Sequence, residues 1–412
     1  MRPPASHRAT TANLQALFPF VSSGGLGVGG PLIGRDLLGG TFCFDPWKLY
    51  GAGVITNPNL VVLGQLGRGK STFVKVLIWR QLAFGRRAWI IDPKGEYGPL
   101  ARACGSRPLR LAPGGTLRLN PLDGPAGGSA SPGELVRRRS DLAASLTGSS
   151  LRRGLEPEER TAIELAVRKV SAHRRSPTLP DLVDALLHPD PGAGVAVGID
   201  GAGLTRAGRA AALELRRMVE GDLAGMFDGP TSRMVELDGS VVVLDLSAAF
   251  ASPALPLIMT CATAWLQSVL EADDGHKRLV VIDEAWAILS DLATARWCQA
   301  TFKLSRALGL ANVMVVHRIS DLSAAGADGS TEQKLAAGLL ADAETRVIFG
   351  QAASEAEATG RVLGLSHSET ALISQLSRGG ALWRIANRSF LVEHLVGEDE
   401  RSLVYTDRAM EQ

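Results

Sequence analysis

The sequence predicts an α/β protein: a mainly parallel sheet alternating with helices, interrupted once by a helical insertion. Three observations predict it. Residues 59–91 read strand, loop, helix, strand; residues 124–237 carry helical patterns and no strand-like run; after residue 238 short apolar runs resume with room for helices between them.

In chain order, residues 1–58 are rich in Gly and Pro, with short apolar pieces such as Leu17-Phe18-Pro19-Phe20 and Phe42-Cys43-Phe44. They read as turns and short strands, an extension packed on the core. Asn59–Leu63 is a buried strand ending at Gly64, and Lys70–Phe84 carries the spacing of a helix that Gly85 ends. Ala88–Ile91 is the next strand, closed by Asp92-Pro93. Asn120-Pro121-Leu122-Asp123 breaks the alternation and ends the first part of the core, 59–123.

The insertion spans 124–237. One of its helix starts is legible, because Thr178 followed by Asp181 forms a capping box with Pro180 in the first turn. Its basic groups, Arg137-Arg138-Arg139, Arg152-Arg153, Arg174-Arg175 and Arg216-Arg217, are balanced by Glu156, Glu158, Glu159, Asp181 and Asp184. They therefore read as solvated helix faces. The core resumes over 238–396 with strands at Val241–Leu244, Leu279–Ile282, Val313–Val316, Val347–Phe349 and Ala381–Ile385, and with a helix over Thr294–Leu308. The last strand continues through Asn387-Arg388 into Phe390–Val392, a terminal hairpin, and 397–412 is a tail.

Composition bounds the rest. The 412 residues, 45% apolar and 21% charged, suffice for a well-buried core plus one substantial insertion. A net charge of +2 does not announce a nucleic-acid binder. Cys43, Cys104, Cys261 and Cys298 lie far apart, so neither a disulfide scaffold nor a zinc site follows, and a reducing cytosol fits. No continuous apolar stretch opens the chain, and the apolar region Val241–Leu266 is broken by Asp245, Pro253 and Pro256. Neither a signal peptide nor a transmembrane segment is expected.

Gly64-Gln65-Leu66-Gly67-Arg68-Gly69-Lys70-Ser71, with Thr72 behind it, matches the P-loop pattern in full. Glycines let backbone N–H groups turn inward around phosphates, and the following helix presents its positive end. Lys70 supplies a cation to the β- and γ-phosphates of ATP, and the Ser71 hydroxyl is a ligand for Mg²⁺. Val280-Val281-Ile282-Asp283-Glu284 is an apolar strand delivering two carboxylates. Asp283 serves the metal and Glu284 polarises the attacking water. Val242-Val243-Leu244-Asp245 lacks a second acid and reads as structural. For Asp92-Pro93-Lys94-Gly95-Glu96-Tyr97, the residues alone favour a turn.

At this point the chain resembles the FtsK–HerA superfamily of ring ATPases, and within it the conjugative type IV secretion ATPases, the VirB/TraC-type traffic motors. The resemblance rests on Ala12-Asn13 through Pro19-Phe20, the P-loop, Asp92 through Tyr97, Asn120-Pro121-Leu122, Gly221 through Phe227, and Asp283-Glu284-Ala285-Trp286. These pieces span most of residues 10–395. It implies a RecA-like sheet, a homo-hexameric ring, and ATP hydrolysis coupled to pilus assembly or substrate transfer. It also implies channel proteins as partners and a cytoplasmic place at the inner face of the membrane.

Two departures stand out. Only about 50 residues precede the core, where larger members carry a sizeable domain. The strand that usually ends in a γ-phosphate-sensing Gln ends here in His317, which as a neutral imidazole still donates one hydrogen bond. Arg306, before that strand, occupies the place from which the family reaches a neighbour's nucleotide; Arg346, Arg378 and Arg384 are further candidates. The function expected is thus a secretion or conjugation motor. A DNA-translocating motor with DNA contact is the alternative within the superfamily, and a nucleotide-gated assembly component is the alternative outside it.

Overall fold

The computed structural model describes residues 26–404 except 27–28, 38–39, 126–129, 236, 238, 271–274, 290–294, 297–298, 300–302, 304–305, 321–337 and 341. The upstream Ala12–Phe20 piece, Cys298 and most of the expected Thr294–Leu308 helix lie outside the described residues.

Eleven strands form one sheet: β1 (Leu32–Asp36), β2 (Thr41–Cys43), β3 (Leu60–Leu63), β4 (Arg87–Asp92), β5 (Leu109–Arg110), β6 (Val241–Asp245), β7 (Arg278–Ile282), β8 (Leu310–Val316), β9 (Thr345–Phe349), β10 (Gly380–Ile385) and β11 (Arg388–His394). Their spatial order is β2-β1-β11-β10-β9-β3-β8-β7-β4-β6-β5. The strands from β9 through β5 run parallel, and the chain ends of the sheet add antiparallel neighbours, including the β10–β11 hairpin. This is a RecA-like P-loop NTPase fold with a mainly parallel sheet.

The central strands are apolar throughout because both faces are covered. Val61, Leu63, Trp89 and Ile91 enter one core layer, and Leu60, Val62, Ala88 and Ile90 enter the other. Among the described residues the helices are α1 (Pro46–Gly51), α2 (Lys70–Leu82), α3 (Gly98–Ala103), α4 (Pro132–Leu151), α5 (Pro157–His173), α6 (Leu179–Leu187), α7 (Gly201–Val219), α8 (Leu255–Leu270), α9 (Trp286–Leu289), α10 (Ala353–Leu363), α11 (His367–Gln375) and α12 (Glu398–Val404). Helices α4 to α7 share the first layer with Val61 and Trp89, while α2 fills the second.

Caps explain where the insertion helices begin. Ser131 accepts from Glu134 N before α4, Asp200 accepts from Gly203 N before α7, and Thr178 with Asp181 forms the expected capping box before α6. Asn120 fastens the entrance, its Nδ2 donating to Asp123 Oδ1 at 2.8 Å and to Pro177 O at 3.0 Å.

Two local readings change. Arg139, grouped with solvated arginines, is 4% exposed and donates to Leu122 O, Ser171 Oγ and Arg175 O at 2.8–2.9 Å. A guanidinium with several fixed donors ties carbonyls that would otherwise be buried without a partner. Within the expected tail, Glu398–Val404 is helical, with three acids in its first turn favouring the helix start. Its Glu400 accepts from Arg80 Nε and Nη2, both at 2.7 Å.

An aromatic group beneath the P-loop encloses His394. The ring lies 4.5 Å from Phe73 and 5.1 Å from Phe349, centroid to centroid. Trp383 Nε1 donates to His394 Nε2 at 3.0 Å, which places the imidazole proton on Nδ1, 2.9 Å from Gly379 O. Burial lowers the His394 pKa from 6.5 to about 3. The unfolded chain therefore takes up a proton near pH 6.5 that the folded chain refuses, and stability falls as pH drops below that value. Asp92 and Asp283, both raised to about 6 chiefly by burial, act in the opposite direction. Comparing wild type with His394→Phe isolates the imidazole. Between pH 7 and 5 the wild type should lose up to about 2 kcal/mol more unfolding free energy, less where water reaches the ring. Urea unfolding at both pH values measures it, and equal losses would remove His394 as the cause.

Candidate nucleotide site

The P-loop leaves β3 at Gly64, whose φ is 148° and whose added Cβ would stand 2.5 Å from Phe349 Cβ. Only glycine fits that approach. The rest of the loop is held by the ends of β9 and β10: Gln65 N donates to Gly350 O at 3.2 Å, and Gly379 N donates to Arg68 O at 3.0 Å. Gly69, at φ 106°, turns the chain into α2, so that Lys70, Ser71 and Thr72 open that helix. Lys70 is 3% exposed, and its Nζ donates to Gly64 O and, at 3.0 Å, to Gln65 O. Burial lowers its pKa to about 8, with Asp283 and Glu284 pulling the other way. Leu66, at the loop tip, is 73% exposed.

Strand order brings the second motif alongside. β8 lies between β3 and β7, so Lys70 and the residues after β7 flank the end of β8, where His317 sits. Asp283 N donates to Ile91 O at 3.2 Å and Ala285 N to Val315 O at 2.9 Å, which sutures this turn to both neighbouring strands. Glu284 has φ 52°, a left-handed conformation costing about 1–3 kcal/mol for a non-glycine residue. Its N–H donates to Asp283 Oδ1 at 2.9 Å. Both carboxylates are almost wholly shielded, at 3% and 2% exposed.

The two acids differ in their charge environment. For Asp283, burial and the adjacent Glu284 charge raise the pKa to about 6. For Glu284, burial also disfavours the anion, but donors on His317 and Lys94 more than offset it and bring the pKa to about 2. His317 Nε2 stands 2.6 Å from Glu284 Oε1, the Lys94 ammonium pairs with the same oxygen, and Trp286 Nε1 donates to Oε2.

Lys94 lies in the Asp92–Tyr97 piece that carries part of the resemblance, but the motifs assign it no role of its own. It rides on the Asp92–Tyr97 segment, which is indeed a turn: Asp92 accepts from Gly95 N, Glu96 N and Tyr97 N at 2.8–3.1 Å. That turn follows β4, the neighbour of β7, so its side chains face the acid pair. A lysine in a tight turn at the C-terminal end of a central parallel strand was the available signal. Asp245 accepts from Ser247 N at 2.9 Å and closes its own turn.

The arginines separate. Arg346 donates to Ala343 O and Leu363 O, and Arg384 donates to Gly364 O, so both bind local carbonyls. Arg306 and Arg378 are exposed. Because β8 runs parallel to β3, Arg306 lies at the sheet edge opposite the chain's own P-loop, and the structure does not bring it to Lys70.

The donor set fits a magnesium nucleoside triphosphate: a loop turned at the positive-φ glycines Gly64, Gly67 and Gly69, a buried ammonium, a helix-start hydroxyl and one buried carboxylate. Among the described residues no group of three or more His, Cys, Asp or Glu could hold a metal unaided. Mg²⁺ is ordinarily shared with phosphates and water.

Residues 49–195 match the model of a family described as the AAA-like domain. No curated protein matches the chain. Among solved structures, VirB4 of Thermoanaerobacter pseudethanolicus is similar at 23% identity and a TM-score of 0.73, over 92% of this chain and 100% of that one. The bacterial conjugative coupling protein TrwB is similar at 16% identity and a TM-score of 0.53, over 82% of this chain and 85% of that one. TrwB in complex with ADP and Mg²⁺ is similar at 17% identity and 0.54, over 84% and 88%. The fold is shared with these proteins.

Proposed function

We propose that this chain is an ATP-hydrolysing ring motor that energises conjugative or type IV secretion transfer or assembly. The observation that carries the reading is the gathering of the P-loop, with Lys70 and Ser71, and of Asp283 and Glu284 at one edge of the sheet. The likeness to VirB4 over 92% of the chain supports the choice of apparatus.

Lys70 binds the β- and γ-phosphates from the helix start, and the glycines of the loop leave N–H groups free to orient them. Ser71 and Asp283 would hold Mg²⁺. The metal, when bound, neutralises charge that builds on the phosphoryl oxygens. Glu284 orients the attacking water with an ionised carboxylate. His317, beside Glu284 and between the two motifs, would donate toward the terminal phosphate only once its Nε2 N–H is released from Glu284 Oε1. Arg306 acts on a neighbouring subunit in a homo-hexamer. No helix among the described residues is long and apolar enough to cross a membrane, and a cytoplasmic protein held at the membrane by channel partners fits that.

Magnesium-dependent release of phosphate from ATP tests the enzyme reading. It should be assayed at several protein concentrations, with and without DNA. A folded protein that binds ATP but never turns it over would leave only the nucleotide-gated component.

The DNA-translocating alternative needs a free basic face; Arg152, Arg160, Arg175, Arg206 and Arg209 stand exposed in the insertion, while acids neutralise part of its remaining basic charge. Arg153, Arg168, Arg174, Arg216 and Arg217 pair with Glu159, Glu164, Asp181, Glu220 and Asp222. Affinity for duplex or single strands should therefore be weak and collapse with modest salt. Nanomolar binding that survives about 200 mM salt, with strong stimulation of ATPase activity, would reverse the order of the two readings.

A further inference from the structure

Lys94 reaches the centre of the site although no motif assigned it a role. Its ammonium pairs with Glu284 Oε1 and stands 3.3 Å from His317 Nε2. The Glu284 carboxylate therefore meets donors from three separate elements: the turn after β4, the end of β8 and the start of α9. An ion pair at an exposed surface contributes little, but here the anion is 3% exposed by side chain and the cation 25%. Removing one partner of such a pair leaves a buried charge poorly compensated. The turn that carries Lys94 is itself fixed by the three N–H groups bound to Asp92, and the Lys94 ammonium lies 5.8 Å from the Phe250 ring centroid. The cation is thus delivered from a rigid support.

The geometry also explains why a support is needed. Glu284 sits on strained backbone beyond the end of its strand, a conformation that persists only where surrounding contacts hold it. His317 and Lys94 share one oxygen and Trp286 takes the other, which fixes both the place and the plane of the carboxylate. Lys94 is the member with a formal charge independent of tautomer. It lies across the β4–β7 boundary from the acid, whereas Trp286 follows Glu284 by two residues at the start of α9.

We propose that Lys94 is a positioning residue for Glu284, holding the water-activating carboxylate in place between β4, β7 and β8. The inference rests on the ATPase reading, and its test separates the two. Trp286 supplies a direct probe of where the carboxylate lies. The protein, labelled with 5-fluorotryptophan, contains seven tryptophans, and Trp286→Phe identifies the Trp286 resonance. In nucleotide-free protein, Lys94→Met should move that resonance toward its position in Glu284→Ala, and Lys94→Arg should leave it near the wild-type position. In turnover, Lys94→Met should lower kcat roughly 10- to 100-fold with KM for ATP nearly unchanged, because misplacing a catalytic group by about 1 Å costs that much. Lys94→Arg should recover most of the loss. A wild-type resonance in Lys94→Met would overturn the proposal. So would a raised KM with kcat intact, which would make Lys94 a nucleotide ligand, or a raised kcat, which would make it an inhibitory contact. A wild-type protein without turnover would sink the motor reading, while the resonance alone would still decide whether Lys94 places Glu284.

Discussion

Glu284→Gln is expected to bind ATP like the wild type and to hydrolyse it about 10²- to 10⁴-fold more slowly. The substitution keeps volume and backbone conformation, so Asp283, held by its own contacts to β4, should stay in place. What disappears is the anion. With a pKa of about 2, Glu284 is fully ionised at neutral pH, and its donors favour orientation of water over strong basicity. An amide in that position offers the water one neutral acceptor and sets an N–H against Lys94, His317 or Trp286. Lys70→Ala should fail at the earlier step, because no other cation is buried in the loop to meet the phosphates. A fluorescent ATP analogue measures binding and a phosphate-release assay measures turnover, so the two variants should separate cleanly. Near-wild-type turnover in Glu284→Gln would remove that residue from the chemistry.

The fold was legible because parallel strands buried on both faces appear as unbroken apolar runs. Val241–Asp245 and Arg278–Ile282 could be read almost to the residue. Boundaries slipped where burial reached past the apolar stretch, as at Leu310-Ala311-Asn312, where the polar Asn312 is buried and donates to Asn59 Oδ1 at 2.9 Å. The P-loop and acid pair were legible because phosphate and magnesium impose residue types at fixed spacing. Lys94 and Arg139 were not, for one physical reason. A lone cation has no periodicity, and whether it is solvated or buried depends on which distant carbonyl or carboxylate the topology sets beside it. Lys94 finds Glu284 across 190 positions of chain, which only the strand order β7-β4 arranges. Helix α12 was hidden likewise, because Glu398-Asp399-Glu400 reads as tail until Arg80 is seen opposite.

Arg306→Ala is expected to bind ATP normally and hydrolyse it roughly 10³- to 10⁵-fold more slowly, if the arginine completes a neighbour's site. Its place argues for action between subunits. Arg306 is exposed at the edge of the sheet where β8 begins, while the chain's own P-loop and acid pair lie at the opposite edge. Arg346 and Arg384 are bound to carbonyls near α10, which leaves Arg378 as the other exposed candidate. An arginine acting on charge that develops in the transition state alters kcat and not ground-state affinity. Catalysis would then require subunit contact, and wild-type specific activity should rise with protein concentration. Mixing variants sharpens the test. Arg306→Ala lacks the donated cation and Lys70→Ala lacks the receiving site, so each alone should be inactive. Mixed rings place an intact Arg306 beside an intact P-loop at some interfaces and should recover activity that neither variant has. Subunit exchange is established separately, with wild-type protein carrying two dyes and energy transfer as the readout. Once exchange is seen, failure of the mixture to recover activity counts against a role in trans. Full activity of Arg306→Ala alone dismisses it, and the same mixture made with Arg378→Ala then becomes the experiment to run.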